Sequence, residues 1–424
     1  APLTAITTNS GGTVVFNTTA ITTNGVQTYN EAATLGGNIT FTTTGNHIVF
    51  ASTLNSDDTT RTLDIVAGAG NTTFTGTVGG SEALGNTTIG TAVLTGAAIK
   101  AQGTLAITNS GTSSITGIIS DGDTAAILTK AGAGTLTLSG DNTYTGATTV
   151  NAGVLAITHA DALGGTSGAT TVANNAALNI SGGITTAAEG ITISGTGVSN
   201  RGAIRNISGD NVIAGQITIA AHTEIASDSG TLRLNISSGS SITASNKNVT
   251  FDGAGNITVV DPIATGSGTL TKSGSGTLTL SGANTYTGAT TISAGVAAIS
   301  NNTSFGTTDA ATTIASGAAL NVSGGVTVAE AITINGTGVS SNGAIRSTSG
   351  DNTFSGLVTL GAHSEIQSDA NTLTLNVSSG NAITGTYNLT FDGSGDTTVN
   401  DPIATGSGTL TKAGSGTLLL EGTN

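Results

Sequence analysis

The chain has 424 residues, of which 8% are charged and 3% aromatic, and it contains 64 glycines. Ordinary globular domains carry about 25% charged residues, so the composition argues against a set of such domains. Hydrophobic residues reach 36%, which argues against disorder. The formal net charge of −14 disfavours nucleic acid and anionic lipid as partners, because binding to both depends on clustered Lys and Arg.

The first part of the chain, residues 1–127, alternates apolar and polar side chains with a period of two. Examples are NITFTTTG at 38–45 and HIVFAS at 47–52. This alternation is typical of short β-strands with opposite faces, and the Gly and Asn residues between them predict tight turns. The start, APLTAITTNS, shows no signal-peptide pattern, and the chain has no apolar run of about 18 residues. We therefore expect no direct membrane insertion by this segment.

One passage of sequence occurs three times in the chain, in full at 128–158 and 270–300 and in part at 410–424. The first copy reads LTKAGAGTLTLSGDNTYTGATTVNAGVLAIT, and its lysine, Lys130, recurs 142 residues later as Lys272. Self-similarity at a fixed period indicates a repeat architecture. Copying one module extends a structure or multiplies a surface, whereas a catalytic centre is normally assembled once.

The segments between these passages also correspond, for example AHTEIASD in the first copy and AHSEIQSD in the second. We therefore predict four sections. Residues 1–127 form N-terminal solenoid coils without the long repeat, 128–269 form long repeat 1, 270–409 form long repeat 2, and 410–424 begin a third, truncated repeat.

Two architectures fit many short strands with Gly-rich turns: a sandwich or barrel, and a β-solenoid. The solenoid is favoured because the alternate apolar residues are small, medium-sized and repetitive, as stacked layers require. The duplication extends a solenoid naturally, and no Pro-rich or charged linker separates the copies. At roughly 20 residues per coil, we predict an all-β single elongated rod of about 20 coils joined by parallel pairing.

The repeated passage resembles the passenger-associated transport repeat of bacterial autotransporters, also described as an autotransporter-associated β-strand repeat. Gly-x-Gly-Thr-Leu-x-Leu, Asn-Thr-Tyr-Thr-Gly, a Thr-rich strand and Ala-Gly follow one another in order. The remainder is similar in composition to large filamentous-haemagglutinin-like adhesins. The resemblance implies a secreted passenger at the bacterial cell surface, folded as a right-handed parallel β-helix, in which the repeat serves export and folding. The third copy ends before its Tyr-Thr-Gly element, so we expect a segment of a longer protein.

Carboxylate pairs are the first candidates for chemistry, because glycosidases use two carboxyl groups about 5–10 Å apart. Asp121 and Asp123 flank one glycine, and Asp57 and Asp58 are adjacent. All four lie in turn-like sequence, where Asp commonly bonds nearby backbone. We therefore predict no catalytic residues.

A second candidate is a pair of a histidine and a glutamate. His222 and Glu224 lie two residues apart and share one face of a strand, and His363 and Glu365 repeat them. Such a pair could bind a metal or act as a base. No third ligand is close in sequence, so a surface ion pair is the favoured interpretation, and we predict no metal site.

We interpret two further pairs in the same way, Arg205 with Asp210 and Arg346 with Asp351. We predict exposed ion pairs in turns that contribute up to about 1 kcal/mol each.

Two further patterns are weaker. FDGAGNITV at 251–259 and FDGSGDTTV at 391–399 faintly resemble calcium-binding nonapeptides, but a calcium site needs such nonapeptides in tandem. Tyr144 and Tyr286 occupy matching NTYTG turns and could form a sugar platform. Packing of each ring over the adjoining coil is the favoured interpretation, because the chain has four Tyr and no Trp.

These observations predict a non-catalytic extracellular stalk or adhesin segment of a bacterial surface protein, with no cofactor. Its partners would be further copies of itself or a ligand on a host or cell surface, contacted through ladders of Thr, Asn and Ser. One alternative is a subunit of an extracellular filament assembled by head-to-tail stacking of uncapped coils. A less favoured alternative is a β-helical polysaccharide-active enzyme.

Overall fold

The computed structural model describes residues 2–423, and nearly all of its regular structure is β-strand. The chain forms two compact units, one made of 1–207 with 211–215 and the other of 208–210 with 216–424. Within each unit the strands pair in parallel with strands of the next coil. The prediction of an all-β parallel solenoid is confirmed, with about 19 turns.

The first unit contains 23 strands. They are β1 (Ile6–Thr7), β2 (Thr13–Phe16), β3 (Ala20–Thr23), β4 (Gln27–Tyr29), β5 (Ala32–Leu35), β6 (Ile39–Thr43), β7 (Ile48–Phe50), β8 (Leu54–Ser56), β9 (Leu63–Val66), β10 (Thr72–Phe74), β11 (Thr87–Thr91), β12 (Leu94–Gly96), β13 (Ile99–Asn109), β14 (Thr112–Ile115), β15 (Ile119–Ala131), β16 (Thr135–Leu138), β17 (Thr148–Val150), β18 (Gly153–Ile157), β19 (Thr170–Val172), β20 (Ala176–Ser181), β21 (Ile191–Gly195), β22 (Ile204–Ser208) and β23 (Asn211–Ile213).

The second unit contains the remaining strands. They are β24 (Ile217–Ser227), β25 (Thr231–Leu234), β26 (Ile242–Ala244), β27 (Val249–Asp252), β28 (Asn256–Val259), β29 (Ile263–Ala264), β30 (Leu270–Lys272), β31 (Thr277–Leu280), β32 (Thr290–Ile292), β33 (Gly295–Ile299), β34 (Thr312–Ile314), β35 (Ala318–Ser323), β36 (Thr327–Val328), β37 (Ile332–Gly336), β38 (Ile345–Ser349), β39 (Asn352–Phe354), β40 (Val358–Ser368), β41 (Thr372–Leu375), β42 (Ile383–Gly385), β43 (Leu389–Asp392), β44 (Asp396–Val399), β45 (Ile403–Ala404), β46 (Leu410–Lys412) and β47 (Leu418–Leu420).

In the part of the chain that the structure describes, helical structure is limited to two short 3₁₀ turns, Val198–Asn200 and Val339–Ser341. Residues 2–423 include no helix with the length and apolar character needed to cross a lipid bilayer.

The apolar side chains that alternate with polar ones along each strand stack on the apolar side chains of the neighbouring coils. Leu136 of β16 lies next to Leu155 of β18, which lies next to Leu178 of β20, and all three side chains are buried. The intervening Thr137 and Asn179 point outward and are half-exposed. Each buried leucine stabilises the fold by about 1.5–3 kcal/mol, so the stacked apolar column is the main source of stability.

The N-terminal coils have a more aromatic core than the repeats. Five rings pack there with centroids 4.9–5.5 Å apart, the distance range of favourable aromatic pairs. They belong to Phe16, Tyr29, Phe41, Phe50 and Phe74.

Parallel pairing passes from the N-terminal section into the first repeat without a linker. Leu105 of β13 lies next to Leu128 of β15, and Ile115 of β14 lies next to Leu138 of β16. Residues before and after position 128 are therefore consecutive coils of the first unit. The section boundaries at 128, 270 and 410 stay predictions.

Four strands are longer than the three to six residues that the alternation predicts. β13, β24 and β40 have 11 residues and β15 has 13. In β24, residues 217–219 pair with β26 and residues 223–226 pair with β27, while residues 220–222 between them are exposed. Each long strand therefore bends from one face of the coil to the next, and this bend interrupts the period-two pattern.

Candidate functional site

The lysine of the repeated passage lies inside the solenoid. Lys130 ends an inward-facing run of β15 and is fully buried. Its Nζ donates to the carbonyl oxygens of Ala131 at 2.8 Å, Gly132 at 2.9 Å and Ala152 at 3.1 Å. An ammonium group has three donors, so these three acceptors satisfy it completely. We call this arrangement the lysine cage, and it joins two successive coils, because Ala152 belongs to the coil after Lys130.

The second copy repeats the lysine cage. Lys272 Nζ donates to the carbonyl oxygens of Ser273, of Gly274 at 2.8 Å and of Ala294 at 3.2 Å. Burial lowers the pKa of both ammonium groups to about 8, and for Lys272 the charge of Asp252 opposes this shift. The carbonyl acceptors favour the charged form, so the cage compensates part of the cost of burying a charge.

The glycine of the Ala-Gly element closes each lysine cage. Gly153 has a φ of 69°, a left-handed value that side chains rarely adopt. A Cβ placed on it would lie 2.4 Å from the carbonyl oxygens of both Gly132 and Gly134. Gly295 of the second copy has a φ of 66° and meets the carbonyl oxygens of Gly274 and Gly276 at 2.6 and 2.5 Å. The repeat therefore needs glycine here for conformation and for space.

We predict that Gly153→Ala lowers the local stability of the first repeat by about 2 kcal/mol, because alanine is strained at this φ and its methyl group collides with two carbonyls. Hydrogen exchange of the β16 and β18 amides measures the loss. Gly190→Ala is the matched control, because a Cβ at Gly190 meets nothing within 4 Å. Equal protection in the two variants would contradict the prediction.

A buried polar ladder lies beside each cage. In the first copy the Tyr144 hydroxyl is 2.7 Å from Thr148 Oγ1. Thr148 is the parallel partner of Thr170 in the next coil, and Thr170 Oγ1 donates to Glu189 Oε1 at 2.5 Å. All four side chains are buried. The ladder therefore spans three coils, and its tyrosine packs inside the solenoid, as favoured from the sequence.

The second copy has the same ladder, made of Tyr286, Thr290, Thr312 and Glu330. The Tyr286 hydroxyl is 2.7 Å from Thr290 Oγ1, and Thr312 Oγ1 donates to Glu330 Oε1 at 2.9 Å. Burial raises the pKa of Glu330 to about 8, and that of Glu189 in the first copy to about 7, although the threonine bond lowers each slightly. Both carboxyl groups are therefore poised to be protonated at neutral pH.

The surroundings of the two carboxyl groups differ. Glu330 lines a cavity of about 460 Å³ together with Phe305 and Val328. Its Oε2 finds no hydrogen-bond partner among the residues that the structure describes. An unpaired buried oxygen favours the neutral acid, which agrees with the larger pKa shift of Glu330.

The asparagine of the NTYTG element also has an internal role. Asn142 Oδ1 accepts the N–H of Ile119 at 2.8 Å, and its Nδ2 donates to the carbonyl of Ala162 at 2.6 Å. In the second copy Asn284 Oδ1 accepts the N–H of Ile263 at 2.7 Å. Lysine, glycine, asparagine and tyrosine of the repeated passage therefore all act in connecting coils.

Each of the two predicted carboxylate pairs has one member that accepts a hydrogen bond from nearby backbone. Asp57 accepts the N–H of Thr59 at 3.0 Å and a two-pronged ion pair from Arg61 at 2.7 and 2.8 Å. The Arg61 guanidinium lowers the pKa of the Asp57 carboxyl. The neighbouring Asp58 is exposed.

The second pair behaves similarly. Asp121 accepts the N–H of Ala126 at 2.8 Å and the hydroxyl of Thr145, in the next coil, at 2.6 Å. Asp123 is exposed, and its N–H donates to Gln102 Oε1 at 3.0 Å. The bonds of Asp57 support the turn interpretation, whereas Asp121 and Asp123 lie within β15, so the turn expected at this pair is wrong.

The histidines form a pattern that the sequence did not reveal. In three of them Nδ1 accepts the backbone N–H of an asparagine in the next coil, each at 2.9 Å. The pairs are His47 with Asn71, His222 with Asn248, and His363 with Asn388. His222 and His363 therefore bond to backbone and do not form the ion pairs expected with Glu224 and Glu365.

The carboxyl groups of Glu224 and Glu365 each lie within range of the charge of an aspartate in the next coil. Burial, and to a lesser degree the charge of Asp252, raises the pKa of Glu224 to about 7. Burial and the charge of Asp392 also raise the pKa of Glu365. Oε1 of each glutamate has no hydrogen-bond partner within residues 2–423. The sequence analysis missed these pairs, because their members lie far apart along the chain.

One ion-pair prediction is wrong. Arg346 Nε donates to Asp369 Oδ2 at 2.7 Å and does not pair with Asp351, because the next coil brings Asp369, two residues after the parallel partner Gln367, within reach of Arg346. Asp351 instead accepts the N–H of Thr372 at 2.9 Å. Asp210 likewise accepts the N–H of Thr231 at 2.8 Å, and Arg205 lies half-buried in β22.

The calcium-like phrase at 251–259 forms a strand, a tight corner and a second strand. A Cβ on Gly253 would lie 1.9 Å from the carbonyl oxygen of Ser227, so the glycine allows close approach of the coil before it. Asn256 Oδ1 accepts the N–H of Thr277 at 3.0 Å. These groups connect three coils.

Comparison with known families identifies the repeated passage. The family model described as Passenger-associated-transport-repeat matches residues 128–157, 270–296 and 410–424, which confirms the resemblance read from the sequence. No curated protein and no solved structure shows significant similarity to the chain. The three repeats support an autotransporter passenger.

Proposed function

We propose that this autotransporter passenger segment is a non-catalytic structural part of a bacterial surface protein, a stalk or adhesive region outside the cell. The repeat family implies secretion and exposure at the surface. The coils of each unit would supply length and a repetitive polar surface. Binding of a host or cell-surface ligand and self-association into filaments stay predictions.

The observation that supports this proposal is that the characteristic residues of the repeat are buried inside the fold. Lys130, Asn142, Tyr144 and Gly153 are buried, and each contacts backbone or side chains of the fold. Catalytic groups must instead reach a substrate. The copying of the same buried network in the second repeat supports a structural role.

The lack of cysteine and the contacts of the lysine cage are both compatible with export of an unfolded chain that folds afterwards. The chain has no cysteine, so no disulfide can trap it on its way through an oxidising compartment. The lysine cage takes its third acceptor, Ala152, from the following coil. Each repeat therefore becomes fully satisfied only when the next coil stacks on it, which favours folding coil by coil from an existing end.

The test uses the full protein in its own bacterium. Antibody labelling of intact cells measures surface exposure, and attachment of the cells to host surfaces measures adhesion. We expect labelled wild-type cells, and lower attachment after deletion of the gene. Absence of the segment from the surface would contradict the proposal.

A parallel assay addresses the enzyme alternative. Purified wild-type protein is incubated with bacterial and plant polysaccharides beside the variant Glu224→Gln/Glu365→Gln. We expect no cleavage by either protein. Cleavage by the wild type that the double variant loses would overturn the non-catalytic assignment and assign the carboxylate pairs to catalysis.

A further inference from the structure

We propose that Asp141, His159 and Asp161 form a binding site for a divalent transition-metal ion of the zinc type on the first repeat. One ligand atom of each residue lies within 4.8 Å of the other two. The proposal adds a metal site to the structural function and does not depend on it.

The three side chains come from two successive turns of the solenoid. Asp141 lies between β16 and β17, while His159 and Asp161 lie in the turn after β18. The side chains of His159 and Asp161 are 40% and 47% exposed, and Asp141 is exposed, so an ion can reach all three from solvent.

The distances suit a small ion. His159 Nδ1 lies 3.9 Å from Asp161 Oδ2. Bonds from zinc to nitrogen or oxygen are about 2.0–2.2 Å, so two ligand atoms on a tetrahedral ion are separated by about 3.4 Å. Small side-chain rotations therefore bring the three atoms into one coordination sphere, with water in the remaining positions.

The donor set selects the class of metal. His159 Nδ1 accepts the N–H of Asp161 at 3.2 Å, and because a neutral imidazole nitrogen has one lone pair, a metal ion at Nδ1 takes the place of this hydrogen bond. An imidazole nitrogen with two carboxylate oxygens suits Zn²⁺ and the neighbouring divalent metals. Ca²⁺ and Mg²⁺ prefer oxygen ligands alone.

The backbone around the ligands is already fixed. Ala162 N donates to the His159 carbonyl at 3.2 Å, and Gly164 N donates to the Asp161 carbonyl at 3.0 Å. Asn142, next to Asp141, donates its N–H to the same Asp161 carbonyl at 3.2 Å. These bonds hold the two turns together, so little further ordering is required on binding.

The second repeat keeps this backbone and lacks the ligands. Its turn has the matching bonds, from Ser304 N to the Asn301 carbonyl at 3.1 Å and from Asn284 N to the Thr303 carbonyl at 3.2 Å. At the three ligand positions it carries Ala283, Asn301 and Thr303. The turn therefore folds without Asp, His and Asp, which separates the ligand set from the requirements of the fold.

The experiment exchanges the three residues between the repeats. Chelator-treated protein is titrated with Zn²⁺ alone by calorimetry at neutral pH. One variant gives the first repeat the residues of the second (Asp141→Ala/His159→Asn/Asp161→Thr). The reciprocal variant gives the second repeat the residues of the first (Ala283→Asp/Asn301→His/Thr303→Asp). Both carry turns that the chain already folds, which makes each a matched control for the other.

We expect one Zn²⁺ per wild-type chain, an affinity at least about 10–100-fold weaker in the first variant, and a second equivalent in the reciprocal variant. Zn²⁺ should shift the imidazole NMR signals of His159 and leave those of His47, His222 and His363 in place. Equal affinity in the wild type and the first variant, or no binding by the wild type, would overturn the proposal.

Discussion

Replacing Lys130 by alanine is expected to lower the free energy of opening of the first repeat by about 3–5 kcal/mol. The change removes the ammonium group and leaves the carbonyl oxygens of Ala131, Gly132 and Ala152 buried without their donor. It also opens a cavity in the column of inward side chains, between Ile107 and Val150. Orphaned acceptors and lost packing act in the same direction.

Native-state hydrogen exchange is the suitable measurement, because long repeat arrays do not unfold in one step and exchange reports each coil separately. Lys272→Ala should reproduce the loss in the second repeat. Lys247→Ala, at a half-exposed lysine of the second unit, is the control. A change within about 0.5 kcal/mol of this control would show that the cage has no structural role.

The protein is expected to become less stable as the pH rises from about 5 to 8, which is the second large effect. Burial raises the folded-state pKa of Glu189 from 4.5 to about 7 and that of Glu330 from 4.5 to about 8. A group with a raised folded pKa contributes its full stability below the unfolded value and loses it as the pH passes the folded value. Each carboxyl therefore costs the folded state on the order of 3 kcal/mol once ionised.

The double variant Glu189→Gln/Glu330→Gln should reduce this dependence, and the remainder is expected from Glu224 and Glu365, whose pKa values burial also raises. Urea unfolding between pH 4.5 and pH 7.5 measures it, with Glu31→Gln, at a half-exposed glutamate, as the control. Lys130 and Lys272 affect the free energy of unfolding in a different pH range. Their folded pKa of about 8 lies below the ordinary lysine value of 10.5, so their contribution to stability rises between pH 8 and 10.5. An unchanged pH slope in the double variant would refute the assignment.

The fold could be predicted because its determinants are local and repeated. Alternation in TLTLSG places Leu136 and Leu138 inward, and the glycine-rich turns return the chain to the same column. The second copy of the module has the same alternation and turns, so its coils are predicted by the same pattern. The bend of β24 was missed because no proline or glycine marks the corner that interrupts its alternation, and in β40 the single Gly361 at the corner did not distinguish a bend from the end of a strand.

The buried charged groups could not be predicted by residue type, because lysine and glutamate are rarely buried without a partner. Their spacing of two residues from a neighbouring buried apolar residue did indicate that they are buried. Lys130 follows Leu128 by two positions on β15, and Glu189 lies two positions before Ile191, the first residue of β21, so both side chains lie on the inward side. What the sequence does not show is that the carbonyl oxygens of Ala131 and Gly132 turn towards Lys130 and that the third acceptor, Ala152, comes from the next coil.

The inter-coil contacts of surface residues were also beyond the sequence. Arg346 and Asp369 are separated by 23 positions but lie on neighbouring coils. Asp141 and His159 are brought together in the same way. Such pairs depend on the exact number of residues in each coil, and small insertions in turns change that number from coil to coil.

Paired cysteines test the coil register most directly, because the chain has no cysteine of its own. Thr149 and Thr171 are parallel partners on adjacent coils, whereas Thr149 and Thr192 are two coils apart. Adjacent coils place Cα atoms about 4.8 Å apart, within the range that a disulfide spans. Mild oxidation should cross-link Thr149→Cys/Thr171→Cys and leave Thr149→Cys/Thr192→Cys reduced. Failure of the first pair to cross-link, or equal cross-linking of both, would contradict a stack of parallel coils.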